Sequence, residues 1–346
     1  MTQAIALARI LRDSGHQISR VLVGKSLSRD IPAFFYEKIC APVETFESPH
    51  FVRDKTKKGI RIFATIFCNL LKTPKFFATT RRLKEIIELE KPERVINFYD
   101  FLAGMVYRFH NTEIPLICIG HQYLFLHPEF LFPKGRIIDR NLLKINTRLT
   151  ASKAKLMLAL SYTDMPDVPN KRLIVVPPLL RQEVLSLEKK EGDYILGYIL
   201  NDGYAGEIIK WHKSNPWQKL HFYWDNKEAE KVQNISPGLT FHKISDYKFI
   251  RHMASCKGFA TTSGFESICE AMYLGKPVFM VPSYGHFEQE CNALDACHAG
   301  AVIFSNSFDL SGFEEFIRNH SFDYSIFRDR VSSAPDIFIR HLTGKI

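Results

Sequence analysis

Thr261-Thr-Ser-Gly-Phe-Glu-Ser-Ile-Cys-Glu-Ala-Met-Tyr-Leu-Gly-Lys-Pro-Val-Phe-Met-Val-Pro282 changes character twice. Small polar residues lead into an amphipathic run, which stops at Gly275-Lys-Pro277 before an apolar stretch. Ser263 followed three residues later by Glu266 reads as a capping box, with a helix starting at Gly264. Phe265, Ile268, Cys269 and Met272 form one apolar stripe, and Gly275 before Pro277 ends the helix. Gly258 to Thr261 and Val278 to Val281 read as flanking strands. That order puts the helix start at the carboxyl edge of a parallel sheet, where ligands of open α/β sheets bind.

A glycine at that start lets a ligand approach free backbone N–H groups whose partial positive charge suits a phosphate. Glu270 lies one turn beyond Glu266, and a carboxylate there can accept hydrogen bonds from two vicinal hydroxyls. Phosphate donors plus a diol acceptor describe a nucleotide diphosphate with its ribose. Taken singly, Glu266 also reads as a cap and Glu270 as a solvated helix residue.

Working outward, the same alternation recurs in two series. In the first, Thr2 to Gly15 is an amphipathic helix with Ile5, Leu7, Ile10 and Leu11 on one face. Val21 to Val23 is apolar, Arg81 to Glu90 is helical, and Arg94 to Asp100 is a strand leading into a helix. Ile114 to Ile119 is a further strand, ending at Gly120-His121-Gln122. Asp100 reads as the N-cap of the helix starting at Phe101 rather than as a base. The second series begins after Val175-Val-Pro-Pro178. Its strands are Tyr194 to Leu200, Leu220 to Trp224, Leu239 to Ile244, Gly258 to Thr261, Val278 to Val281 and Ala301 to Phe304, with a helix over Gly206 to His212. The expected architecture is α/β, with two Rossmann-like, doubly wound halves facing across a cleft. The domains are expected at 1–180 and 190–321, with a partly helical tail, 322–346, near the hinge.

The 346 residues allow two such cores, and 46% hydrophobic with 24% charged content is ordinary for a globular protein. The net charge of +9 is uneven: residues 1–180 hold 28 Lys and Arg against 16 Asp and Glu, and the remainder 18 against 21. Such asymmetry points to different partners for the two halves. Seven cysteines without CxxC pairs or zinc spacing read as packed thiols. With neither a signal peptide nor a membrane-spanning run in view, the expected location is the cytoplasm, with peripheral contact at the inner face of the membrane. That contact is expected between Arg53 and Arg82. There Lys55, Lys57, Lys58, Arg61, Lys72, Lys75 and Arg81 bracket the apolar run Ile62 to Leu71, a pattern that suits an anionic bilayer. An ordinary packed helix fits it as well. Nucleic acid is a poorer fit, since no recognition motif accompanies the charge.

After the quoted stretch come Glu288-Gln289, Asn292-Ala293 and Gly300. With Ser263-Gly264, Glu270-Ala271, Gly275-Lys-Pro277 and Val281-Pro282, this series resembles the carboxyl half of nucleotide-sugar glycosyltransferases of the GT-B fold. The resemblance extends to the N-acetylglucosaminyltransferase of peptidoglycan lipid intermediates and to bacterial and archaeal glycosyltransferase-like proteins. It implies that Ser263, Gly264 and Phe265 present N–H groups to a diphosphate and that Glu270 holds the ribose. Glu288 and Gln289 would bind the donor sugar, and Ile244 would meet the base through its backbone. The implied donor is a UDP-linked sugar, with no cofactor and no metal ion. Asn201, after the first strand of this half, would line the cleft; an ordinary turn fits it equally. His286 reads as a surface histidine.

In the amino-terminal half, members of the fold begin with a strand and a glycine-rich loop, whereas this sequence starts inside the helix that follows them. The missing strand would be central, so the chain is expected to be less stable and less active than one extended upstream. For catalysis His121 is the candidate: a neutral histidine at a strand's carboxyl end can take the acceptor's proton. Packing or a structural hydrogen bond is its other reading. The leading function is transfer of a sugar from a nucleotide diphosphate to an acceptor, membrane-associated in one form of the reading. The alternatives are a nucleotide-sugar binder without turnover and an enzyme like the nucleotide-sugar 2-epimerases.

Overall fold

The computed structural model describes residues 1–25, 31–49, 72–199, 202–226, 229–262 and 264–344. In the amino-terminal half, α1 (Thr2–Asp13) precedes β1 (Val21–Lys25), α2 (Ala33–Ile39), β2 (Val43–Glu47) and α3 (Thr73–Glu90). Then follow β3 (Val95–Asn97), α4 (Phe101–Phe109), β4 (Leu116–Ile119), a 3-10 stretch His121–Leu126, α5 (Ile137–Thr150), β5 (Leu156–Leu160) and β6 (Leu173–Val176). Strands β3-β4-β5-β6 form a parallel sheet in that order. Leu116-Ile-Cys-Ile119 is buried along its whole length, the continuous apolar run expected of a strand covered on both faces.

β1 and β2 pair with each other, parallel, as a separate two-stranded sheet. Among the described residues β1 is laddered only to β2, and β3 only to β4. The amino-terminal half thus carries two separate parallel ladders among the described residues. The side chains of β1 are all half-buried, in contrast to β4. The two pieces are tied at their carboxyl ends through Asp100. Its Oδ1 accepts the Ala103 N–H as the N-cap of α4 (3.0 Å), as expected, while Oδ2 accepts from Ser48 Oγ (3.1 Å).

The carboxyl-terminal half contains α6 (Gln182–Leu185), β7 (Tyr194–Ile199), α7 (Ala205–Ser214), β8 (Lys219–Trp224), β9 (Val232–Ser236), β10 (Leu239–Lys243) and α8 (Asp246–Ser255). It continues with β11 (Gly258–Thr261), α9 (Phe265–Tyr273), β12 (Val278–Met280), α10 (Phe287–His298), β13 (Val302–Phe304), α11 (Ser311–Asn319), α12 (Tyr324–Ser332) and α13 (Ala334–Thr343). Its sheet has the order β13-β12-β11-β7-β8-β10-β9, parallel except for the edge strand β9. Phe265, Ile268, Cys269 and Met272 of α9 are buried as their spacing predicts, and Gly275 ends the helix at φ +68°.

One apolar cluster joins the halves. Ile117, Leu158, Tyr162 and Val176 pack in it with Phe265, Ile268 and Met272, and with Phe327 and Phe338 of the tail. Helix α12 lies against α9, whereas α13 lies against α1 and β6, with Arg94 Nη2 donating to the Gly344 carbonyl (2.7 Å). The carboxyl ends of β4 and β5 thus meet the amino ends of α9 and α10. Among the described residues no helix is long and apolar enough to cross a membrane.

Candidate active site

The donor side centres on the start of α9. Gly264 is its N-cap residue, exposed, and a Cβ built there would meet nothing within 4 Å. The approach to Gly264 at the start of α9 is therefore open, at the carboxyl edge of the sheet, where a helix start favours an anion. The N-cap of α9 is Gly264, and among the described residues no side chain caps the helix, while the Ser263 half of the expected capping box falls outside them. Ser263 and Asn201 lie outside the described residues. The Glu266 carboxylate instead accepts from the Thr2 hydroxyl at the start of α1.

Glu270 is also placed differently from the expected polar face. It is buried and accepts a bidentate pair from Arg181, with Nε–Oε1 at 2.6 Å and Nη2–Oε2 at 2.7 Å. Arg181 belongs to the segment crossing from β6 to β7. The four-residue spacing does put Glu266 and Glu270 on one side of α9. Glu266 is engaged from the amino-terminal half, by Thr2, and Glu270 from the segment that joins the halves, by Arg181. A planar guanidinium matched to a carboxylate fits this buried geometry.

Glu288 and Gln289 fall in the first turn of α10. Glu288 Oε1 accepts from Gln122 Nε2 (3.0 Å), again across the cleft, and Gln289 Oε1 accepts the Ser283 N–H (2.7 Å), closing the turn before the helix. Glu290 receives both bonds of Arg136 Nη1 at 3.1 Å. Ile244 is exposed at the carboxyl end of β10. His286 is the half-buried N-cap residue of α10 rather than a surface side chain. Tyr99, at the end of β3, holds φ +60°, a left-handed conformation uncommon for a side chain of its size. Burial raises the pKa of its phenol, and the nearby charge of Glu288 adds to the rise.

His121 lies in the cleft but is fully enclosed. Phe265 stacks on its ring at 4.1 Å between centroids, and Tyr162 packs beside both. Nδ1 lies 2.8 Å from the Leu160 carbonyl, which can only accept, so Nδ1 carries the proton and Nε2 presents a lone pair. Nε2 faces Asp295 Oδ2 of α10 at 3.5 Å, and neither atom has another hydrogen-bond partner among the described residues. Burial pushes His121 down to about 4 and Asp295 up to about 7. A protonated Asp295 facing a neutral His121 satisfies both preferences.

The sequence profile of glycosyl transferase family 1 matches residues 43–320. The chain belongs to that family. No curated protein sequence matches it. Among solved structures, it is similar to Os79 from O. sativa in complex with U2F and trichothecene, with 12% identity, TM-score 0.64 and coverage of 99% of this chain and 96% of that one. The MurG of Acinetobacter baumannii matches at 15% identity and TM-score 0.56, with 99% and 95% covered. The spinosyn rhamnosyltransferase SpnG complexed with thymidine diphosphate matches at 12% and 0.56, with 99% and 96% covered. The expected GT-B architecture is therefore the fold of this glycosyltransferase.

Arg181, Arg136, Tyr162 and Asp295 complete the glycosyltransferase cleft but were not singled out in the sequence. Arg181 follows Pro177-Pro-Leu-Leu180 without any motif. Asp295 has one local sign, a lone carboxylate between Ala293-Leu294 and Ala296.

Proposed function

We propose that the chain transfers a sugar from a nucleotide diphosphate to an acceptor held by the amino-terminal half. The observation that carries this reading is the start of α9. Its amides, open at Gly264, face the carboxyl ends of β4 and β5 across the cleft. An anionic diphosphate bound there would rest on the helix terminus, and its departing charge would be stabilised by those N–H groups. Ser263, Gly264 and Phe265 would supply the amides, with Ile244 at the base and Glu288 and Gln289 at the sugar. The complex of SpnG with thymidine diphosphate supports a diphosphate donor in this fold. Glu270, being held by Arg181, would reach a ribose only if that pair opened.

Calorimetric titration with UDP and thymidine diphosphate tests the reading on wild type and on Gly264→Asp. The variant places a carboxylate where the phosphate would sit and should lose binding while melting normally without ligand. Equal affinities for the two proteins would overturn the assignment.

A second reading, a nucleotide-sugar binder without turnover, is favoured by the enclosure of His121 between Phe265 and Asp295. Release of nucleoside diphosphate from a bound donor, with acceptors supplied, separates the two. Tight binding with no release supports the binder.

A further inference from the structure

Helix α5 is amphipathic in the reverse sense. Its inner face is largely polar: Thr147 and Thr150 are fully buried and Asn146 reaches Tyr99 (3.2 Å), with Leu143 the apolar residue of that stripe, packed on the amino-terminal cluster. Its outer face carries Ile138, Leu142 and Ile145 at positions i, i+4 and i+7, with Ile137 beside them. Ile137 and Ile138 are 71% and 76% exposed, and Leu142, Ile145 and the nearby Leu131 about half exposed. The orientation is fixed by packing, because α4 approaches so closely at Gly104 that a Cβ there would collide with the Leu149 and Thr150 carbonyls. Asn97 Nδ2 donates to the same Thr150 carbonyl (2.9 Å).

The chemistry around this stripe selects its partner. From 134 to 155 the sequence has seven Lys and Arg and one carboxylate, Asp139, which is itself paired to Arg136 (2.7 Å). Arg140 and Lys144 both lie over the Phe132 ring at 4.9 Å. Burial lowers the pKa of Lys144, and the positive charges of Arg140, Lys171 and Arg148 lower it further, a direct sign of crowded cations. At the carboxyl end of α5 an open concavity of about 520 Å³ is lined by Arg108, Phe109, Arg148, Ala151, Ser152 and Lys153. Three cations and a hydroxyl around an open space suit a phosphate.

We propose that the outer face of α5 docks on an anionic lipid bilayer, with Ile137, Ile138, Leu142 and Ile145 in the headgroup boundary and Arg108, Arg148 and Lys153 on lipid phosphates. Isoleucines framed by cations gain from both apolar burial and attraction to anionic headgroups. These residues are separate in sequence from the run Ile62 to Leu71, which lies outside the described residues. The α5 surface also meets the cleft, because Arg136, at the N-cap of α5, bonds to Glu290 of α10. An acceptor carried by the bilayer would enter from that edge, a step that rests on the transferase reading, whereas docking does not.

Co-sedimentation of the full chain with phosphatidylcholine vesicles, with and without phosphatidylglycerol, tests the proposal. The protein is expected to pellet with the anionic vesicles and to be released as salt rises. Combined Ile137→Ser, Ile138→Ser and Ile145→Ser should weaken partition about tenfold or more through lost apolar burial. Arg140→Gln and Arg148→Gln should each weaken it about fivefold. The charge variants keep the test sharp if the triple variant folds poorly. UDP affinity should stay unchanged throughout, so failure of docking and failure of donor binding are told apart. No pelleting with anionic vesicles, or partition insensitive to both sets of variants, overturns the proposal. So does a wild-type dimer in light scattering that the serine variants convert to monomer, which would assign the face to a second copy of the chain.

Discussion

Replacing Asp295 by Asn, and separately His121 by Asn, should tilt stability against pH in opposite directions. Folded His121 sits at about 4, below its ordinary 6.5, so between those values the unfolded chain holds a proton that the folded chain lacks. Acidification through that window therefore weakens the fold, by an upper bound of about 3 kcal/mol at 1.36 kcal/mol per pH unit of displacement. Folded Asp295 sits at about 7, above its ordinary 3.8, so there the folded chain holds the extra proton. Acidification from about 7 to about 4 then strengthens the fold, by at most about 4 kcal/mol. In the wild type the two effects largely cancel between about 4 and 6.5. Relative to wild type, Asp295→Asn should be the more stable protein at pH 7.5 and lose that advantage steadily toward pH 4. His121→Asn should gain on wild type over the same titration. Urea denaturation midpoints across the range, with m-values checked for constancy, measure both differences. Flat differences, or slopes of the same sign, would refute the placement of these groups as a buried pair sharing one proton.

Two further outcomes follow from packing. Arg181→Met leaves Glu270 buried without its bidentate partner and should cost about 3–5 kcal/mol in urea denaturation, whereas Arg181→Met with Glu270→Leu should recover most of it. Gly104→Ala drives a methyl group into the Leu149 and Thr150 carbonyls. It should lower stability by about 1–3 kcal/mol, read as a shift in melting temperature.

What could be read in the sequence was what is settled locally. The buried stripe of α9, its end at Gly275 and the Asp100 cap each depend on residues within a turn or two. The polar partners come from far along the chain: Arg181 with Glu270, Gln122 with Glu288, Arg136 with Glu290, His121 with Asp295. Nothing in the spacing around Glu270 distinguishes a face open to ligand from one closed by Arg181 of the joining segment. Helix α5 escaped notice for another reason. Periodicity locates helices by assuming that the apolar face is the inner one. Here threonines are inside and isoleucines outside. Strand β5, Leu-Met-Leu-Ala-Leu160, is a short apolar run that periodicity cannot tell from a helix segment.

The polypeptide passes between the two halves twice, once from β6 to β7 and again between α12, which lies on α9, and α13, which lies on α1 and β6. A body attached to another at one point can tumble; attached at two separated points, it keeps rotation about the line through them. Any opening of this cleft would be held to a swing about that line, against the apolar cluster that the halves share. The bonds from Thr2, Gln122 and Arg136 to α9 and α10 all bridge the halves, so such a swing would break them together. A ligand seated at Gly264 would be carried along one arc toward His121 and Tyr162, its approach angle set by where the chain crosses.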